Sequence, residues 1–278
     1  MREFNLELED YCVMKVCLAQ TNIIFEDKNK NLIKAKKLIS DASTKGQDLI
    51  LFPEMSFTGF SMNTKLIGES DNETLKMMSN LAKEYNINIG FGWVKKDDEG
   101  YHNIYSIVNR NGKEVADYAK IHPFSYSKED LFYKAGEELC VFELDNIKMA
   151  VFICYDLRFP ELFRAVAGKV SMVIIPANWP AKRSNHWKTL LTARAIENQV
   201  YIMAVNCQGD MGGQYYSGDS CIINPNGDVI ESISDCEGLI DCELADDVAQ
   251  YRENFPVLKD RRLKLYAELF EKIENVSL

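Results

Sequence analysis

Histidine is scarce in this chain, with only His102, His122 and His186 among 278 residues, and none of its eight cysteines stand in a C-x-x-C pair. The thiols, Cys12, Cys17, Cys140, Cys154, Cys207, Cys221, Cys236 and Cys242, have no metal-ligand spacing with the histidines. That argues against zinc, and no metal or other cofactor is expected. No apolar run approaches the roughly eighteen residues of a membrane span, so no membrane partner is expected. Positive charge is in deficit as well: 32 Lys and Arg face 42 Asp and Glu, a net charge of −10, which argues against a nucleic-acid partner. The opening residues, MREFNLELEDYC, lack the basic start and apolar core of a secretory signal, and the expectation is a cytoplasmic protein with free thiols. No Pro/Gly-rich linker, repeat or low-complexity tract divides the chain. The reading is a single domain over residues 14–278 ending in a charged helical tail, with residues 1–13 as an N-terminal extension for which disorder is one reading.

At 46% hydrophobic residues the chain can bury a large core, and the apolar patterning says how. Met14–Ala19 alternates as a strand, a helical face follows through Leu32, Ala35, Ile39 and Ala42, and Asp48–Phe52 is a short buried strand that stops at Pro53. A second helix over Leu75–Tyr85 precedes a strand at Ile87–Val94. Tyr101–Val108 and Glu114–Tyr118 pair across Asn111-Gly112, a strong hairpin signal. Residues 121–138 are irregular and polar-aromatic, a loop long enough to suggest a role. Further strands are read at Cys140–Leu144, Lys148–Ile153, Val170–Ile175, Tyr201–Asn206, Ser220–Ile223, Val229–Ser232 and Leu239–Glu243, with helices at Glu161–Ala167 and Trp187–Asn198. Strands partly in βαβ order and partly in hairpins imply an α/β protein in which two mixed sheets pack face to face between helices.

Three reactive residues stand at comparable breaks in this pattern: Glu54 after LFP, Lys120 at the hairpin exit, and Cys154 after VFI. Together they supply a base, a cation and a nucleophile, the parts acyl transfer needs. Cys154 closes an apolar strand before a polar turn and a helix opened by Pro160 and Glu161. Backbone N–H groups and a positive helix end at such a corner would favour its thiolate. His122 invites a papain-like Cys-His pairing, but Lys120 and Glu54 already fill the roles. His186 is read as a capping or packing residue before the Trp187 helix.

The segments LFPEMSFTGF, YAKIHPF and ICYDLRFPELFR, in that order, resemble the nitrilase or carbon–nitrogen hydrolase superfamily, over a stretch from about Met14 to about Tyr266. ANWPAKRSNHWKTLLTARAIENQ and FPVLKDRRLKLY resemble its omega-amidase branch. The resemblance implies a four-layer α-β-β-α sandwich, and a homodimer or higher homo-oligomer. It makes Cys154 the nucleophile, Glu54 the general base, and Lys120 with the Tyr155 backbone N–H the oxyanion donors. Glu129 matches a further glutamate that orients the substrate and Lys120. The implied reaction is hydrolysis of the terminal amide of a small carboxylate-bearing molecule such as 2-oxoglutaramate, through a thioester and without a metal. Arg158 is the first candidate to grip the carboxylate, with Lys182 and Arg183 next, while Trp179 and Phe124 are candidate apolar walls. Other readings are an N-carbamoyl amine or acid amidohydrolase, a short-chain aliphatic amidase, or an inactive homologue that binds a partner.

Overall fold

The computed structural model describes residues 11–274, so the first ten residues of the N-terminal extension lie outside it. One sheet has the order β13-β1-β2-β3-β4-β5. Its strands are β1 (Val13–Gln20), β2 (Leu49–Leu51), β3 (Asn88–Lys96), β4 (Tyr101–Val108), β5 (Glu114–Ala119) and β13 (Gly238–Ala245). The other is built from β6 (Val141–Leu144), β7 (Ile147–Val151), β8 (Met172–Ala177), β9 (Tyr201–Asn206), β10 (Gln208–Met211) and β11 (Gln214–Ile223), in the order β10-β11-β9-β8-β7-β6, with β12 (Val229–Ser234) also pairing to β11. The neighbours β1–β2–β3 and β7–β8–β9 are parallel; hairpins make β3–β4–β5 and β6–β7 antiparallel, and β13 and β11 add antiparallel to β1 and β9.

Alternation within β1 shows how four layers arise. Val16 and Leu18 belong to the core between the sheets, together with Met149, Val151, Ile174 and Met203, whereas Cys17 and Ala19 turn the other way. Successive side chains of a strand point to opposite faces, so one apolar strand serves two cores. The outward face packs on α1 (Lys28–Thr44) and α3 (Glu73–Tyr85), with the short α2 (Thr64–Ile67) between them in sequence. Leu32, Ala35, Ile39 and Ala42 are buried on α1, as their spacing predicts. Asp27 caps that helix by accepting the Lys30 N–H at 3.1 Å. The second sheet is covered by α4 (Pro160–Val166) and α5 (Ser184–Asn198), which bury Phe163, Val166, Trp187, Leu191 and Ala195. The chain ends in α6 (Val248–Asn254) and α7 (Leu263–Glu274). Among the described residues no helix is long and apolar enough to cross a membrane.

Two features depart from the sequence reading. The strand read at Ser220–Ile223 begins at Gln214, and a whole strand, β10, precedes it. Both additions are rich in Gly and polar residues, which carry little strand signal on their own. The helix read from Trp187 begins three residues earlier, at Ser184.

Candidate active site

Parallel strands place their carboxyl ends on one side, and in open α/β sheets ligands bind there. Here the carboxyl ends of β2, β5, β7 and β8 run directly into the segments that carry Glu54, Lys120, Cys154 and Asn178. Glu54 sits in a turn that lies tight against β3. The Ser56 N–H donates to the Gly92 carbonyl at 2.9 Å, and the Gly92 N–H donates to Ser56 Oγ at 2.8 Å. A Cβ on Gly92 would come within 2.3 Å of the Met55 backbone nitrogen, so only glycine allows the turn this close.

Cys154 begins a 3₁₀ turn over Cys154–Arg158, immediately before α4. Its φ of 47° lies in the left-handed region, uncommon for a residue with a side chain and the kind of strain that surrounding structure must impose. Asp156 imposes it from one side. Its sealed carboxylate accepts from the Ile153 N–H at 3.0 Å, the Tyr118 hydroxyl at 2.8 Å, and the His122 N–H and ring Nδ1 at 2.9 and 2.8 Å. Buried Arg194 on α5 holds the other side, donating to the Leu157 carbonyl at 2.8 and 3.2 Å. The cysteine turn and the segment after Lys120 are thus tied to one carboxylate. His122, stacked on Phe159 with ring centroids 3.6 Å apart, has its Nδ1 committed to Asp156 rather than to sulfur.

Beneath the thiol lies a buried charge cluster. Lys120 Nζ donates to Glu54 Oε1 at 2.8 Å and to the two oxygens of Glu129 at 2.9 and 3.1 Å; all three residues are at most 2% exposed. Asn103 on β4 donates to the same two carboxylates, at 2.7 and 3.1 Å, and the Phe124 N–H donates to Glu129 at 2.5 Å. The second oxygen of Glu54 accepts the Asn178 N–H at 2.9 Å. Burial works against the Lys120 charge, but Glu129 and Glu54 outweigh it and hold the ammonium well above its ordinary range. Burial also raises Glu129; Lys120 pulls it back and Glu54 pushes it further up. One ammonium serves two carboxylates, so both Lys120 and Glu129 hold their protons more tightly than they would in water.

Cys154 overturns one expectation. Burial, then the Glu54 charge, pushes the thiol well above its ordinary value of 9.0, against the opposing pull of Lys120 and of the Asn178 N–H. Helix-end and backbone donors do not offset desolvation and a carboxylate neighbour, so the resting group is the neutral thiol.

Above the thiol opens a cavity of about 280 Å³ lined by Lys120, Phe124, Cys154, Tyr155, Arg158 and Trp179 among others. Lys182 and Arg183 also line it, and among the described residues no acidic side chain does. In a chain of net charge −10 this is a local reversal of sign. Among the described residues, Arg158, Lys182 and Arg183 form no ion pair. Arg158 lies over Trp179 at 4.6 Å and Arg183 over Phe124 at 5.3 Å. Burial, then the like charge of Arg183, disfavours the Arg158 charge, and both guanidiniums line the same cavity. His186, expected to cap or pack, is exposed within α5, its Nδ1 3.5 Å from Arg158. Tyr155 lies in the first turn of the 3₁₀ segment, where a helix leaves donors without internal partners, and it lines the cavity. Asn103, Asn178 and the pocket-lining Tyr216 were not singled out by sequence reasoning. The two asparagines act through contacts between distant segments, and only the glycine pair before Tyr216 offered a local hairpin signal.

The profile of the carbon-nitrogen hydrolase family matches residues 15–253. The chain belongs to that family. This carbon–nitrogen hydrolase is 36% identical over 256 residues to 2-oxoglutaramate amidase of Bacillus subtilis, covering 90% of this chain and 98% of that one. It is 34% identical to omega-amidase YafV of Escherichia coli, covering 89% and 96%. Among solved structures, a CN-hydrolase superfamily protein from Xanthomonas campestris with an arsenic adduct in its active site superposes with a TM-score of 0.85 at 28% identity, covering 90% of this chain and 97% of that one. An amidase from Nesterenkonia, at 23% identity and a TM-score of 0.82, covering 92% and 96%, shares the fold. The two-sheet architecture expected from the patterning is that of these structures, and the family makes the chain a hydrolase of non-peptide carbon–nitrogen bonds.

Proposed function

We propose that the enzyme hydrolyses the terminal amide of a small carboxylate-bearing acyl chain, of which 2-oxoglutaramate is the leading case, to the acid and ammonia. The observation that carries this reading is the junction of a Cys–Glu–Lys cluster with a cavity whose charged side chains are all basic. The names of the relatives point the same way. A cationic N-carbamoyl amine would meet like charge from Arg158, Lys182 and Arg183.

The chemistry follows from the protonation states. Cys154 rests as a thiol, so a base is required: Glu54 takes its proton as sulfur bonds to the amide carbon. Lys120 and the Tyr155 N–H stabilise the resulting oxyanion, donors of this kind contributing about 3–4 kcal/mol each in a dry site. Glu129 and Asn103 hold Lys120 and Glu54 in place. The Glu54 proton passes to nitrogen as the C–N bond breaks, and ammonia leaves a thioester. Glu54 then takes a proton from water, which attacks the thioester carbon; the acid departs and sulfur recovers its proton. Arg158 and Arg183 bind the carboxylate at the far end, against Trp179 and Phe124.

The test measures ammonia from 2-oxoglutaramate, succinamate, N-carbamoylputrescine and a neutral short amide. Cys154→Ala abolishes release from all substrates while keeping the fold; near wild-type turnover refutes the scheme. Arg158→Leu lowers kcat/KM for the carboxylate amides and spares the neutral one. Equal losses on both count against the clamp.

A further inference from the structure

The stretch Gln208–Tyr216 is a hairpin in which β10 turns into β11 through Gly212 and Gly213, both at positive φ, 58° and 79°. A two-residue turn with both central residues left-handed matches the twist of antiparallel neighbours. Alternation along β11 then separates two adjacent tyrosines. Tyr215 is exposed and its hydroxyl donates to Asp235 at 2.8 Å. Tyr216 faces inward, is 5% exposed, and packs in an apolar nest with Ile23, Cys207 and Met211, opposite the side-chain-free Gly209. Met211 in turn lies against Gly59, where a Cβ would sit 2.2 Å from its sulfur, so the hairpin is seated on the loop that follows Glu54.

Five tyrosines are buried among the described residues, and four of them donate: Tyr105 to the Phe52 carbonyl, Tyr118 to Asp156, Tyr133 to the Ser61 carbonyl and Tyr201 to Asp247. Tyr216 has no such partner among the described residues, and its hydroxyl is not one of the unpartnered atoms sealed from solvent. It lines the cavity. Its charged and ionisable neighbours are Cys207, Cys154, Glu54 and Arg183, and burial keeps it a neutral phenol. A rigid, uncharged donor therefore lines the same cavity as the thiol and a guanidinium. Buried hydroxyls are normally satisfied, so an acceptor is to be supplied from the cavity side.

We propose that the Tyr216 hydroxyl donates a hydrogen bond to the oxo oxygen of a 2-oxo acyl chain whose amide end lies at Cys154 and whose carboxylate lies at Arg183. This rests on the carboxylate-amide reading above and adds the feature that selects among such amides. Charge sorts the two acceptors. The anionic carboxylate goes to the guanidinium, and the neutral oxo group goes to the neutral phenol. A saturated chain of the same length fills the same space and leaves the phenol unpaired, which is how a built hydrogen-bonding site discriminates.

The experiment compares kcat/KM for 2-oxoglutaramate and for glutaramate, which has a methylene in place of the oxo group, in wild type and Tyr216→Phe. The phenylalanine keeps the ring in its apolar nest. The expected result is a roughly 5- to 100-fold loss on 2-oxoglutaramate with the glutaramate value within about 2-fold of wild type. Equal losses on both would make the hydroxyl part of chemistry common to all substrates and overturn the proposal, as would no loss on either. Wild type that cleaves a neutral amide but neither carboxylate amide overturns the carboxylate reading itself, and the proposal with it. Wild type that cleaves both, with an unchanged ratio in Tyr216→Phe, overturns the proposal alone.

Discussion

The buried thiols make the fold sensitive to alkali, and the size of the effect can be worked out. Cys17, Cys207 and Cys221 are each at most 5% exposed. Burial raises all three, reinforced by Asp241 at Cys17, Glu54 at Cys207 and Asp219 at Cys221, which is pushed up to about 12 from an ordinary 9.0. Because the folded pKa values lie above the unfolded ones, the stabilisation is full below about pH 9 and is lost as pH rises toward the folded values. One pH unit above 9.0, each unfolded thiol gains about 1.4 kcal/mol by ionising, so these three alone remove about 4 kcal/mol at pH 10, and Cys140, pushed up to about 11, and Cys154 add to the loss. That is a large part of a stability of about 5–15 kcal/mol. Lys120 is also raised, but its ordinary value of 10.5 keeps it out of this window. Urea unfolding between pH 7.5 and pH 10 in the presence of a reductant reads the loss as a falling midpoint. Cys221→Ala costs some stability at neutral pH but flattens the alkaline slope by about a fifth, its share of these five thiols. A midpoint that stays level to pH 10, or a variant with the wild-type slope, would refute the reasoning.

Glu129→Gln removes one of the two carboxylates on Lys120 and in either orientation turns an amide N–H toward its ammonium, and toward the Asn103 amide or the Phe124 N–H as well. Breaking a buried pair in this way is expected to cost about 3–5 kcal/mol and to lower kcat more than KM changes, as chemical denaturation and ammonia release would show. Wild-type stability and turnover in this variant would remove Glu129 from the cluster's working parts. Gly92→Ala drives a methyl into the Met55 nitrogen and displaces the Glu54 turn. The expected loss is about 1–3 kcal/mol together with a fall in kcat, and unchanged kinetics would show that the turn can give way without moving the carboxylate.

Much of this site was legible because its reactive residues follow strands. Leu51, Ala119 and Val151 end apolar or alternating runs, and Glu54, Lys120 and Cys154 come one to three residues later, where a parallel arrangement directs them to one side. The basic lining was legible in part, since Arg158 and Arg183 stand beside motif residues. Cys154 was read as a thiolate because the local signals, a strand end and a coming helix, favour ionisation. The deciding influence is instead desolvation together with the Glu54 charge, which comes from a segment a hundred residues away. Asn103 and Asn178 were illegible for a related reason: an asparagine in a strand or just after one looks the same whether it faces water or a buried carboxylate. The strand β10 hid in QGDM, whose polar and glycine residues suit a turn, although the following Gly212-Gly213 pair is a hairpin signal.

Glu54, Lys120 and Asn103 come from one sheet, while Cys154 and Asn178 come from the other, and β1 of the first sheet finds its outer neighbour only in β13. A chain synthesised only as far as residue 154 already holds Glu54, Lys120 and Glu129, but it still lacks Asn178, which donates to Glu54, and residues 238–245, which pair with β1. The sheet that carries Glu54 and Lys120 is thus completed only by a strand made near the end of translation.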